Sequence, residues 1–406
     1  PSGYAASHDD CDDAEPLATP GNAEVCGDGI DNDCDGVSAR CGPWGDRDIA
    51  DGDTWISGDA DDDLTGSSVI FLDDVDGDGL DDFAVGAPAN DYGGANTGTI
   101  WVATGAPTGE IETTSTTARV YGATADEQVG WAMANPGDLD GDGLGDLFIG
   151  AYGGDPSGFN SGAAYLVSGV SGDMDATAQR LVLTGATSLD WAGYAVDAGF
   201  DQDGDGVDDL LVGAPYEDHG GSKAGTAYVV SGALTGTVSL DTQPALYGEL
   251  TLDRAGTALG FGGDLNADGF ADVVVGAWGE STVGSRSGAV YVVYGPVTTS
   301  ASLATADVKL LGVSAGERAG SAVKAAGDMD EDGYDDVLLG APWGTRAYLV
   351  AGNGLTSGSL SGAAATFTQE ASGSRLGASF SSGDVDGDGH LDAVIGAGGR
   401  SVKGSE

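Results

Sequence analysis

The sequence predicts an all-β fold: a β-propeller of repeated four-stranded blades, preceded by a small cysteine-bearing segment. Three observations predict it. An acidic nine-residue loop, Asp-x-Asp-x-Asp-Gly-x-x-Asp, recurs from Asp74, Asp138, Asp201, Asp264, Asp328 and Asp384, in steps of 64, 63, 63, 64 and 56 residues. Each step carries four short apolar runs, and none of them reads as a convincing helix. Four-stranded units repeated at this period are the mark of propeller blades, because one blade cannot bury both faces of its sheet and radial stacking can.

The first strand of each unit is a Gly-marked apolar segment before the loop, at 66–71, 130–133, 193–196, 256–259, 320–323 and 377–380. The second follows the loop and ends in Gly-Ala, at 83–87, 147–151, 210–214, 273–277, 337–341 and 393–397. These runs are mostly branched or aromatic and read as strands buried on both faces. A polar Gly/Ser loop leads to a third strand at 99–102, 164–167, 227–230, 290–293 and 347–350. The fourth lies at 119–121, 181–183, 245–247, 309–311 and 366–367. Residues 54–58 match a fourth strand, and 396–406 match the loop between second and third strands. The expected domains are 1–45 and a propeller over 46–406 that ends within a blade. A blade cut short leaves an unpaired edge, which folded sheets avoid. We therefore expect a longer polypeptide whose continuation supplies the last strands, with room for a seventh blade beyond the six visible repeats.

Composition narrows the function. Glycine accounts for 73 of 406 residues, and 66 Asp and Glu against 14 Lys and Arg give a formal charge of −52. That charge excludes nucleic acid and anionic membranes as partners, since the phosphate-neutralising contribution is missing. It suits cations or a basic partner. Six divalent ions would offset +12 and leave −40, so ligation explains only part of the excess. No apolar run approaches the 18 residues of a membrane span, so no direct insertion is expected. The chain starts at Pro1 without Met, consistent with a signal segment already removed.

The loops read as calcium sites. Calcium takes six to eight oxygens in a flexible shell. Carboxylates at positions 1, 3, 5 and 9 with the carbonyl at 7 supply them, and Gly at 6 makes the sharp turn. The expected ligands are Asp74, Asp76, Asp78, Leu80 and Asp82; Asp138, Asp140, Asp142, Leu144 and Asp146; Asp201, Asp203, Asp205, Val207 and Asp209. They continue with Asp264, Asn266, Asp268, Phe270 and Asp272; Asp328, Asp330, Asp332, Tyr334 and Asp336; Asp384, Asp386, Asp388, His390 and Asp392. An EF-hand needs Glu at position 12 and flanking helices. Here position 12 is Val85, Ile149, Val212, Val275, Leu339 or Ile395, apolar and inside a strand. Magnesium fits less well, because it demands a compact octahedral shell.

These repeats resemble the FG-GAP repeats of integrin α-subunit propellers and of related bacterial surface proteins. The matching residues are the Gly-Ala-Pro triplets at 86–88, 213–215 and 340–342, the Gly-marked first strand and the acidic loop after it. The resemblance covers about residues 53–406. Three copies depart from the triplet, with Tyr152, Trp278 and Gly398 in place of Pro, and integrin propellers have seven blades where six loops are seen here.

All four cysteines, Cys11, Cys26, Cys34 and Cys41, fall before residue 42. A clustered even set reads as two disulfides and an oxidising compartment, with three pairings open. A zinc site of four thiolates is the competing reading, opposed by the lack of a CxxC pair and by the carboxylate neighbours. The segment is similar to the Cys/Asp-rich metal-binding motif of the MopE type, with Asp10, Asp12, Asp31, Asp33 and Asp35 as candidate calcium ligands alongside about six ions in the propeller.

No catalytic constellation is found, and the chain is not expected to be an enzyme. His8, His219 and His390 form no motif, and neither a Gly-x-Ser-x-Gly elbow nor a P-loop occurs. The expected function is a calcium-stabilised, secreted binding or adhesion module at the cell surface, taking a protein or glycan ligand. The loops at 91–97, 153–161, 217–224 and 280–287 are its candidate contact surface. The alternative is a structural subunit of an extracellular filament or surface assembly, with an accessory domain of a hydrolase as a third reading.

Overall fold

The computed structural model describes residues 54–58, 60–105, 109–112, 118–369, 373–385 and 389–399. Among them there is no α-helix, only strands joined by turns and four short 3-10 turns. The four cysteines lie outside the described residues, as do Asp10, Asp12, Asp31, Asp33, Asp35, Asp386 and Asp388. The chain divides into two compact units, Pro1–Asp53 with Asp384–His390, and Thr54–Gly383 with Leu391–Glu406. The second unit carries the strands.

That unit opens with an outer strand, β1 (Thr54–Ser57). The first blade follows with β2 (Ser68–Leu72), β3 (Asp82–Ala87), β4 (Thr99–Ala103), β5 (Gly109–Glu112) and β6 (Ala118–Tyr121). The second contains β7 (Ala132–Ala134), β8 (Asp146–Ala151), β9 (Ala163–Ser168), β10 (Gly172–Asp175) and β11 (Leu181–Thr184). The third contains β12 (Ala195–Phe200), β13 (Asp209–Ala214), β14 (Thr226–Val230), β15 (Gly236–Ser239) and β16 (Ala245–Tyr247). The fourth contains β17 (Ala255–Phe261), β18 (Val273–Ala277), β19 (Ala289–Val293), β20 (Ala301–Ser302) and β21 (Val308–Leu311). The fifth contains β22 (Ala322–Gly327), β23 (Asp336–Ala341), β24 (Arg346–Val350), β25 (Gly358–Ser359) and β26 (Ala365–Thr368); the sixth shows β27 (Leu376–Gly383) and β28 (Asp392–Ala397).

The four antiparallel strands read from the sequence are present in the first five blades, but they are not the whole sheet. A fifth strand, lent by the following repeat, runs parallel to the outer strand. β10 pairs with β6, β15 with β11, β20 with β16 and β25 with β21, as β5 does with β1. After the lent strand a 3-10 turn drops one side chain into the core: Ala176, Leu240, Leu303 or Leu360. Three of these turns are capped by the preceding Asp175, Ser302 or Ser359 side chain.

The core lies between blades. Along β8, Ile149 packs with Ile100 and Val102 of the first blade, while its neighbour Phe148 packs with Leu210, Val212 and Tyr228 of the third. The period-two alternation of a strand thus feeds two interfaces at once. The same division places Val275 against the third blade and Val274 against the fifth. Second strands are accordingly buried on both faces, each large side chain contributing about 1.5–3 kcal/mol. The first blade differs, for Val69 and Phe71 of β2 are 62% and 77% exposed.

The glycine that ends each second strand is a packing requirement. A Cβ on Gly150, Gly213, Gly276 or Gly340 would sit 2.1 Å from the carbonyl oxygen of Gly193, Gly256, Gly320 or Gly377 in the next blade. Blade meets blade backbone to backbone at that point. Because first and second strands are antiparallel, the acidic loop joining them is at one end of each hairpin and the Gly-Ala step at the other.

Candidate metal centres and the loop face

Each acidic loop folds around its first aspartate. Asp201 Oδ1 accepts hydrogen bonds from the amides of Gly204 (2.7 Å) and Asp205 (3.1 Å), and Oδ2 accepts from Gly206 (2.8 Å). The same bonds recur at Asp74 and Asp138, reduced sets occur at Asp264 and Asp328, and Asp384 Oδ2 accepts from Gly389 N. At Asp74 these amides, Gly79 first, hold the carboxyl below its ordinary value. The turn needs a left-handed residue at position 6, and Gly79, Gly143, Gly206, Gly269, Gly333 and Gly389 have φ between +85° and +92°. Position 5 accepts from the position-7 amide, as in Val207 N to Asp205 Oδ1 at 2.9 Å.

The ninth-position aspartate is different in kind. Asp82, Asp146, Asp209 and Asp336 open the second strands, Asp272 immediately precedes one, and all five are buried. Each accepts from the amide at position 2 of its own loop: Val75, Leu139, Gln202, Leu265 or Met329. Three also accept from the end of the third strand, at Gly105, Gly295 and Gly352. The residue expected only as a ligand is therefore also a latch between loop and sheet.

Ligand oxygens converge. One from each of Asp74, Asp76 and Asp78 lie within 4.8 Å of one another, as do those of Asp138, Asp140 and Asp146, of Asp201, Asp203 and Asp209, and of Asp328, Asp330 and Asp332. Oxygens sharing one calcium shell at 2.3–2.6 Å lie within about 5 Å of each other. Asp146 and Asp209 each bring a buried carboxylate to these groups. The donor set of hard oxygens fits a divalent ion. In the fourth loop Asn266 Nδ2 donates to Asp268 Oδ2 at 2.9 Å. Position 12 is buried in the second strand at Val85, Ile149, Val212, Val275 and Leu339.

Burial pushes Asp146 up to about 6 and Asp209 and Asp272 up to about 7, and raises Asp82 and Asp336. A folded-state value above the unfolded one stabilises below the unfolded value, about 4, and the gain is lost as pH rises through about 6–7. The metal-free protein is expected to melt lower at about pH 8 than at about pH 5. A midpoint in EGTA that climbs over that interval would contradict this. Asp203 is the foremost charge raising Asp209 after burial itself. Asp203→Asn should therefore lower the melting point in calcium and raise it slightly in EGTA. The same sign in both conditions would exclude a shared ion site.

At the other end of the hairpins, the loops at 91–97, 153–161 and 217–224 share one conformation despite different sequences. Asp91, Asp155 and Asp218 each accept from the amide five residues on, at Asn96, Asn160 and Lys223, whose φ values are +49° to +54°. In the loop at 280–287, Ser281 Oγ takes that place, accepting from Arg286 N at 3.0 Å.

Beside them runs a ladder that the sequence reading missed. Trp131 meets Tyr152 at 4.8 Å and Tyr194 at 5.5 Å, and Trp191 meets Tyr216 at 4.1 Å with the rings tilted by 37°. Arg254 lies over Tyr216 and Trp278 at 4.7 and 4.4 Å, and Arg318 over Trp278 and Trp343 at 4.6 and 4.1 Å. Arg375 follows at 5.5 Å from Trp343, with Lys223 and Arg286 flanking. The members come from the stretch just before each first strand and from just after each Gly-Ala, with Lys223 and Arg286 supplied by the loops at 217–224 and 280–287. A search for in-phase positions holding large residues of changing type would have found them.

Comparison with known proteins agrees with this architecture. The FG-GAP repeat family matches residues 65–103, 192–230 and 255–293, and the FG-GAP-like repeat matches 328–395. The metal-binding motif of the Cu-binding MopE type matches residues 10–39. Integrin alpha pat-2 of Caenorhabditis elegans is 29% identical over 233 residues, covering 51% of this chain and 18% of its own length. Integrin alpha-4 of Xenopus laevis is 30% identical over 223 residues, covering 51% and 20%. Phosphatidylinositol-glycan-specific phospholipase D of Bos taurus is 33% identical over 178 residues, covering 41% and 20%. The chain thus spans about a fifth of the length of these relatives. Repeats, loops and relatives together identify the chain as an integrin-alpha-like FG-GAP repeat protein with a MopE-type metal-binding motif toward its N-terminal end.

Proposed function

We propose that the chain is a calcium-stabilised extracellular binding module, non-enzymatic and acting in adhesion at a cell surface. Calcium is held by the loops from Asp74, Asp138, Asp201, Asp264, Asp328 and Asp384, and the ligand is a protein or glycan. The carrying observation is the division of labour within each hairpin. Acid loops gather oxygens at one end, while partly exposed aromatic and cationic side chains converge at the other. Ions that stiffen the scaffold at one end pre-organise the contact loops at the other, which lowers the ordering cost of binding. The test is capture on arrays of extracellular proteins and glycans, in calcium and in EGTA. Calcium-dependent capture supports the module; no capture in calcium removes it. The exposed Val69 and Phe71 of β2 favour a second reading, a subunit that packs against other copies or subunits of a surface assembly. Size-exclusion chromatography over a range of concentrations separates the two.

A further inference from the structure

Five of the chain's 14 lysines and arginines meet on the ladder: Lys223, Arg254, Arg286, Arg318 and Arg375. The chain offers 66 carboxylates, yet among the described residues none pairs with any of these five. Elsewhere in the propeller Arg119, Lys309 and Arg346 are paired, while Arg180 and Lys324 stand singly and form no cluster. Stacking on an aromatic ring engages only the face of a guanidinium. Its N–H donors lie in the plane and still need acceptors. Burial and the neighbouring Arg286, Arg254 and Arg375 lower the proton affinity of Arg318, the mark of cations held together without an anion.

A cavity of about 330 Å³ opens at this point, lined by Tyr194, Trp278, Arg318, Trp343 and Arg375. Its two aliphatic hydroxyls are already committed. Thr257 Oγ1 donates to the Arg254 carbonyl and Ser321 Oγ to that of Arg318, both at 2.7 Å. These bonds help hold Arg254 and Arg318 at φ +58°, a conformation non-glycine residues adopt seldom. The polar side-chain lining is therefore dominated by N–H donors between indole faces, and Trp343 is 49% exposed.

We propose that this cavity binds a uronate unit of an acidic polysaccharide, the local cluster of cations acting against the chain's −52 charge, with Arg318 and Arg375 on the carboxylate and the exposed part of Trp343 against the sugar ring. The proposal rests on the binding-module reading and names its ligand class and site. Two guanidinium groups match a carboxylate with paired, charge-assisted hydrogen bonds. The ring's hydroxyl oxygens accept from the remaining donors, and its C–H face covers the exposed part of Trp343. A glutamate side chain on a peptide brings the carboxylate without the flat face.

The test titrates the calcium-loaded chain with a hyaluronan hexasaccharide, its carboxyl-reduced counterpart and poly-glutamate, read by calorimetry and indole fluorescence. The carboxylated sugar is expected to bind at least about ten-fold more tightly than either comparator, and more weakly as salt rises. Arg318→Gln and Arg375→Gln each weaken it about ten-fold while the melting point in calcium holds. Arg318→Lys, which keeps the charge and loses the planar fork, weakens it as well. Equal affinity for the reduced sugar, preference for poly-glutamate, no binding, or indifference to both glutamine variants overturns the proposal. If array capture by the module persists in the Arg318→Gln, Arg375→Gln double variant, the uronate site falls and the module stands. Loss of capture by the unaltered chain removes both.

Discussion

Dialysis to exhaustion against EGTA is expected to lower the thermal midpoint of this protein by about 20 °C, and readded calcium to restore it. An ion bound only by the folded state contributes about 2.7 kcal/mol at hundred-fold saturation, so five or six sites together add about 15 kcal/mol. For a chain of this length each kcal/mol moves the midpoint by about 1–2 °C. Without the ion the loops keep their turns, because the first aspartate is held by backbone amides. What they lose is the counter-charge to convergent carboxylates, including the buried Asp146 and Asp209. Magnesium should restore only part of the loss. A calorimetric midpoint that moves by less than about 3 °C in EGTA would remove calcium from the structural account.

Gly276→Ala is expected to cost about 3 kcal/mol or more. The added methyl would lie 2.1 Å from the Gly320 carbonyl oxygen and 3.2 Å from that of Ala258, with backbone on both sides and no flexible side chain to yield. Relief requires the fourth and fifth blades to separate, which opens the layer holding Val274, Val290, Val337 and Leu339. Gly362→Ala is the control, since nothing lies within 4 Å of a Cβ there. It should be neutral or slightly stabilising, because it restricts only the unfolded chain. Chemical denaturation in calcium compares the two. Equal midpoints would show that the Gly-Ala step is not a blade contact.

The residues that were legible in the sequence are those whose chemistry admits few substitutes. The acidic loop must present oxygens at fixed spacing with a left-handed glycine at position 6, so it repeats almost letter for letter. Second strands such as Leu210–Val212 face a neighbouring blade on either side and must be apolar throughout. The lent strands were not legible. Gly172–Asp175 and Gly236–Ser239 both open on glycine with one apolar residue between polar ones, too short and too polar a run to stand out, because these strands attach mainly through backbone groups. Only the anchors after them, Leu240, Leu303 and Leu360, leave a trace. The ladder was hidden for another reason. Gln128, Trp191, Arg254, Arg318 and Arg375 hold one repeat position with different side chains, and their partners come from neighbouring blades. Proximity of that kind is a property of the fold and has no local spelling.

The lent strand also bears on how the protein is made. As the chain leaves the ribosome, β6 must wait for β10, which arrives only after β7, β8 and β9 have been synthesised. Among the described residues, each of the first four blades is clasped by a strand of its successor. Folding and unfolding should then proceed in coupled pairs of repeats, and a protease nick after β9 would loosen the first blade as well as the second. Under tension, the short parallel clasps between β6 and β10 or β11 and β15 resist by sliding all their hydrogen bonds together, as links in a chain do.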